Sequence, residues 1–195
     1  DYYGKVIDNY SKDSGKEVVV PLTYFKASLI PANDLERGPQ YPVAGKTRGQ
    51  ITKATWISHF PNAKEKNDHY NSQVNYVEKD SNGTFFMTQL TKDPKDSALK
   101  FTNNSRSLLK IKRNLELLGR RYLHEFNDRI TQTNLKNILD SYLDTWKQNR
   151  TLIEGNIELV DSSIDPTLTD EQLVIAVNIK FNRTTEVISF NINID

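Results

Sequence analysis

Apolar positions along this 195-residue chain repeat at one spacing in its middle and at another near its end. Between Arg106 and His124, Leu108, Ile111, Leu115, Leu118 and Tyr122 advance in steps of three and four, which predicts an amphipathic helix with one apolar stripe. Asn104 or Ser105 is placed to cap it. A second helix is predicted over 134–148, with Leu135, Ile138, Leu139, Tyr142 and Trp146 facing a core. After Gly155 the period becomes two. "NIELVD" reads as a short strand, and "SSIDPTLTDEQ" as a loop with a proline turn. "LVIAVNIKF" puts Leu173, Ile175, Val177, Ile179 and Phe181 on one face. "VISFNINID" puts Ile188, Phe190, Ile192 and Ile194 on one face, with Ser189, Asn191 and Asn193 on the other.

The first hundred residues are less regular. A β-branched run at 17–20 leads to Pro21, a favourable first residue for a helix that Pro31 is expected to end or kink. Residues 31–50, "PANDLERGPQYPVAGKTRGQ", carry too many prolines and glycines for one regular element. Beyond them, 51–60 reads as a short extended piece and 66–79 as a polar helix carrying Tyr70, Val74 and Val77. "SNG" is a turn, and 84–90 a strand.

Composition narrows the chemistry. There is no cysteine, which removes disulfides, thiol catalysis and thiolate metal sites together. Lys plus Arg number 26 against 25 Asp plus Glu, so no global charge draws in nucleic acid or a membrane. No apolar run approaches the roughly 20 residues that cross a bilayer. His59, His69 and His124 lack metal-ligand spacing. "AGKTRG" contains Gly-Lys-Thr, but a phosphate loop needs glycine at position 40, where Gln40 stands. No catalytic residue, metal site or cofactor site is expected. The chain starts at Asp1 without Met, and is read as a piece of a longer or processed protein forming one domain over 1–195.

One electrostatic feature remains. Arg106, Lys110, Arg113, Arg120 and His124 fall opposite the apolar stripe of the first long helix, interrupted by Leu117. This is either a solvated face or a contact surface for an acidic partner. Aromatic residues that would stack on bases are missing from it, so a protein partner is favoured, with a nucleic-acid-binding module as the alternative.

The stretch "VPLTYFKASLIPANDLERGPQYPVAGKTRG" resembles the helix-to-loop signature of contractile tail sheath proteins, the sleeve subunits of phages with contractile tails and of related injection machines. The residues carrying it are Pro21, Thr23, Ala27, Asp34, Arg37, Gly38, Ala44 and Gly45. The long helix, its "FND" turn at 126–128, the second helix and the closing strands follow in that family's order, with Glu186 before the last strand. Pro31 stands where the family's helix continues.

The resemblance implies an α+β fold, a small mixed sheet of C-terminal strands packed on two or three helices. It implies a structural subunit, not an enzyme, that polymerises as stacked hexameric rings around an inner tube. The sleeve would then shorten and drive the tube through a target envelope. Partners would be neighbouring sheath subunits, the inner tail tube protein, the baseplate and the tail terminator, with no direct nucleic acid and no membrane insertion. The place would be a phage virion, assembled in the host cytoplasm and serving genome ejection. Arg106, Lys110, Arg113, Arg120, Lys147 and Arg150 become tube-contact candidates. Glu186, Val187, Ile188, Phe190, Ile192 and Ile194 become candidates for strand exchange between subunits.

Overall fold

The β-branched run at 17–20 does form a strand, and it finds a partner upstream. In the structure, a computed structural model that describes residues 3–7, 15–93 and 95–184, β1 (Tyr3–Ile7) pairs antiparallel with β2 (Glu17–Pro21) on one side and β3 (Trp56–Ile57) on the other. Gly4 sits opposite both Val20 and Ile57. A β-carbon on Gly4 would lie 2.6 Å from the Phe25 ring, so its bareness lets Phe25 seat on the strand.

α1 (Leu22–Glu36) leaves β2 directly at Pro21. It runs through Pro31 where the sequence predicted an end or kink. Proline deprives the Ala27 carbonyl of its helical donor, but Ala27 and Pro31 are both exposed, so water can serve that carbonyl. The helix is held beyond Pro31 by the buried Asn33. Residues 31–50 are therefore helical at both ends, closing with the one-turn α2 (Gly45–Arg48).

The polar helix expected over 66–79 is α3 (Ala63–Asn71), started by a capping box in which Glu65 N–H donates to Asn62 Oδ1 and Asn62 N–H to Glu65 Oε2. It stops before Val74 and Val77. Gln73 takes a left-handed φ of 55°, and Asn75 pairs in strand fashion with both backbone groups of Leu90. Val77 belongs instead to a hairpin of β4 (Val77–Asp80) and β5 (Gly83–Phe86). Leu22, Phe25, Ile51, Ile57, Val77 and Phe86 make one buried cluster in this part of the chain.

α4 (Thr102–Gly119) starts earlier than predicted: Asn104 and Ser105 lie inside it, their side chains donating back to the Ala98 and Leu99 carbonyls. It ends at Gly119 in a 3₁₀ turn over Arg120–Tyr122. α5 (Arg129–Gln148) also begins earlier, capped by Asp128, whose carboxylate accepts the Thr131 N–H. Its core face is Leu135, Leu139, Leu143 and Trp146. The predicted core residue Ile138 is 42% exposed, and Leu143, which the sequence reading passed over, is fully buried. β6 (Leu152–Val160) and β7 (Val174–Phe181) form the last described hairpin, antiparallel, in the register Ile157↔Val177.

The chain separates after Ser107 into two compact units, 1–107 and 108–195, with the boundary inside α4. The α+β class is as expected, and the described strands are spread over three small antiparallel sheets.

Candidate subunit-contact surfaces

The loop that carries the family-like residues is a problem in hydrogen bonding, because prolines remove donors while every residue keeps its carbonyl. Side chains supply what the backbone lacks. Asn33 donates to the Gly38 and Tyr41 carbonyls, Asn103 to Gln40, Arg48 to Pro42, and Lys26 to Val43. Arg37 caps α1, and Gly38 takes φ +99° to reverse the chain, its N–H reaching the Asn33 and Asp34 carbonyls. Ala44 is the extended residue that opens α2 at Gly45. Asp34 forms an ion pair with Arg106 of α4.

Lys26 is the most constrained charge here. Its ammonium donates to the Val43 carbonyl at 2.6 Å and to the Thr88 carbonyl at 3.1 Å, over the Phe86 ring. No carboxylate joins it among the described residues, and burial pulls its pKa down to about 8. Asn33, Lys26, Arg48 and Asn103 were not singled out from sequence. The signal that finds them is the loop's shortage of N–H groups, which obliges other elements to provide donors. The arrangement is a clasp in which side chains of three helices hold the loop's carbonyls.

The second surface lies in unit 108–195. β6 is covered by α5, whose Lys136 donates to the Ile157 carbonyl. Among the described residues β7 pairs with β6 along one edge and with no strand along the other. Beside that edge runs a groove of about 1160 Å³ between α4 and β7, floored by α5. Ile111, Leu115, Leu135 and Leu139 form its walls on the helical side, and Leu173, Ile175, Val177 and Ile179 on the strand side. It exceeds the roughly 300–1,000 Å³ of small-ligand pockets and is long and open. Asn182 fixes the end of β7, its backbone N–H donating to the Thr151 carbonyl and its side chain to Arg150.

The basic candidates do not form the single stripe expected. Arg106 is engaged by Asp34, and Lys147 pairs with Asp144 at 2.9 Å. Arg120 and His124 line the groove instead of lying opposite the apolar stripe. The α-helix ends at Gly119, and the tighter 3₁₀ turn that follows shifts the phase of every later side chain. His124 itself has a left-handed φ of 72°. Lys110, Arg113 and Arg150 are exposed, with no ion pair among the described residues. No group of three or more metal-ligating side chains occurs among the described residues, and no helix is long and apolar enough to cross a membrane. The strand-exchange candidates Glu186, Val187, Ile188, Phe190, Ile192 and Ile194 lie outside the described residues.

No protein-family model matches the sequence, and no curated protein is significantly similar to it. Solved structures do match. A chain of the anti-feeding prophage helical sheath in its contracted state superposes with a TM-score of 0.79 at 14% identity, covering 99% of this chain and 54% of the other. The contracted sheath complex of an extracellular contractile injection system, PVC, gives 0.78 at 15% identity, covering 99% and 55%. A chain of the anti-feeding prophage baseplate gives 0.79 at 16%, covering 91% and 51%. The chain thus has the fold found in contractile sheath assemblies and spans about half the length of the chains it matches.

Proposed function

We propose that this chain is the inner part of a sheath subunit in a contractile injection machine, polymerising around a tube and shortening to drive it forward. The observation that carries the reading is a two-stranded hairpin whose β7 edge has no strand partner among the described residues, beside an apolar groove. An exposed strand edge over an apolar slot is what β-strand addition uses, with main-chain hydrogen bonds giving affinity and alternate side chains giving register. Residues 186–194 have the alternation to supply such a strand to a neighbouring subunit. Their backbone pairing would tolerate rotation of one subunit against the next. Contraction would draw on better subunit contacts in the shortened sleeve, without nucleotide hydrolysis. The matched assemblies favour the injection-system class over a virus particle. Neighbouring sheath subunits and a baseplate are the supported kinds of partner; an inner tube and a terminator complete the proposal.

The test uses the full-length protein. Co-produced with its tube protein, it should form hollow striated sleeves in negative-stain micrographs. Deleting residues 186–195 should leave a soluble protein that forms none. Contracting sleeves from the truncated protein would refute the strand-exchange role. The tube-facing charges are tested alongside: reversing Lys110 with Arg113, or Lys147 with Arg150, should abolish assembly around the tube in one set. Individual exposed pairs contribute only about 0–1 kcal/mol and act by summing over many subunits. Normal sleeves from both reversed sets would remove these residues from the tube contact.

A further inference from the structure

We propose that the turn at Asn82–Gly83 modifies itself: the Gly83 amide nitrogen attacks the Asn82 side chain, expels ammonia, and leaves an aspartate or isoaspartate at position 82. The reaction concerns the first unit alone and does not depend on the sheath reading.

This is the one Asn-Gly pair in the sequence. It lies in the turn of the β4–β5 hairpin, where Asp80 pairs with Gly83 across Ser81 and Asn82. The nucleophilic nitrogen belongs to a residue without a side chain to obstruct it, and a φ of +125° keeps that position for glycine. Asn82 is exposed, so its carboxamide is open to attack and the ammonia can leave. The main-chain carbonyl between the two residues accepts a hydrogen bond from Gln50 Nε2 at 3.1 Å. That donor draws electron density from the peptide group, makes the Gly83 N–H more acidic, and meets negative charge where it develops. Gln50 is itself held in place: Ile51 N–H donates to the Thr84 carbonyl and Phe86 N–H to the Gly49 carbonyl, each at 2.8 Å. The Asp80 carboxylate accepts the Asn82 N–H at 2.7 Å and lies beside the Gly83 N–H, placed to take its proton. The Lys46 ammonium, and after it the two N–H groups of the turn, hold the Asp80 pKa below its ordinary value. It is therefore ionised at neutral pH.

No oxidant or cofactor is needed. A bond forms between Gly83 N and Asn82 Cγ, and the Asn82 Cγ–Nδ2 bond breaks. The Gly83 proton passes through Asp80 to the departing nitrogen, which leaves as ammonia. Water then opens the cyclic imide: attack at Cγ gives aspartate, and attack at the main-chain carbon gives isoaspartate. Either product adds a negative charge close to Asp80. Isoaspartate also inserts a methylene into the main chain between the paired Asp80 and Gly83, so the hairpin carrying Phe85 and Phe86 should loosen.

The test incubates full-length protein at neutral pH and physiological temperature, folded in buffer and unfolded in guanidinium chloride. Residue 82 is followed by peptide mass, and isoaspartate by enzymatic methylation. The folded chain should convert faster than the unfolded one. Asp80→Asn and Gln50→Met each keep the length of the side chain while removing the base or the donor. Each should slow the folded reaction by roughly tenfold, short of the roughly 100-fold given by a base of well-matched pKa, and leave the unfolded rate unchanged. Circular dichroism confirms that a variant is folded, and the two act independently, so either one suffices. A folded rate equal to or below the unfolded rate would overturn the proposal, as would a folded variant that converts as fast as the wild type.

Discussion

Replacing Lys26 by methionine separates two energies that the wild-type side chain combines. The ammonium of α1 is withdrawn from water, and burial lowers its pKa from 10.5 to about 8. At about 1.36 kcal/mol per pH unit this corresponds to about 3 kcal/mol of disfavoured charge. The folded value lies below the unfolded one, so the folded state binds fewer protons between the two. The penalty is fully present below about pH 8 and is relieved as pH rises towards 10.5. Against it stand two hydrogen bonds to the Val43 and Thr88 carbonyls, which the neutral amine can still donate. Leaving those carbonyls without a donor costs about 1–3 kcal/mol each. Near pH 7 Lys26→Met therefore removes a cost and a gain of similar size, and should shift stability by no more than a few kcal/mol. By pH 10 most of the penalty is relieved, and the wild-type advantage should have grown by about 2–3 kcal/mol. Urea unfolding at constant ionic strength measures this. Trp56 is the tryptophan of the first unit, so its fluorescence in a Trp146→Phe background follows that unit. A wild-type advantage that stays flat from pH 7 to pH 10 would refute a buried, carbonyl-held ammonium.

Two further substitutions test the packing of each unit. Leu143→Ala in α5 removes a side chain that is 0% exposed and should destabilise the second unit by about 2–5 kcal/mol in urea unfolding followed by Trp146; a loss under 1 kcal/mol would mean that this face of α5 is not core. Gly38→Ala should cost about 1–2 kcal/mol because φ is +99°, and Gly38→Asn less, since asparagine enters the left-handed region more readily. Equal losses for the two would point to the contact with Gln40, not the backbone, as the constraint.

What the sequence made legible follows the strength of its local signals. The two long helices and the last strand pair were readable because one face of each is apolar at a fixed period. Their starts were misplaced because caps were sought among the first polar residues. Asn104 and Ser105 instead satisfy carbonyls of the preceding segment from inside α4, and Asp128 takes the cap that begins α5. Leu143 escaped because a stripe chosen through Ile138 and Tyr142 runs slightly off the buried direction. Val77 was assigned to a helix on spacing alone, while Gln73 and Asn75 break that helix through a left-handed turn and a side chain acting as a strand partner. At the candidate site, the loop residues were found through resemblance. The donors that hold the loop come from α1, α2 and α4, and no local pattern marks a residue as donor to a distant carbonyl. The continuous basic stripe was an overextension: helical phase was carried past Gly119, where the helix no longer exists.

The two units treat their backbone polar groups in opposite ways, and this contrast connects the fold to the function. In the first, five nearly successive loop carbonyls, from Gly38 to Val43, receive donors from side chains of α1, α2 and α4. Each lost donor would expose an unpaired group, so the loop is fixed at considerable cost in conformational freedom. Such a loop is suited to keep its shape while forces pass through it. In the second, β7 has no strand partner on one edge among the described residues, beside a wall of leucine and isoleucine. An unpaired edge invites pairing, and the half-buried Ile175, Val177 and Ile179 have burial still to gain at about 25 cal/mol per Å². That deficit is available to whichever strand fills the slot. In the proposed sleeve this division would suit subunits that turn while staying linked, with the clasped loop keeping its shape and the β7 edge accepting a strand from a neighbour.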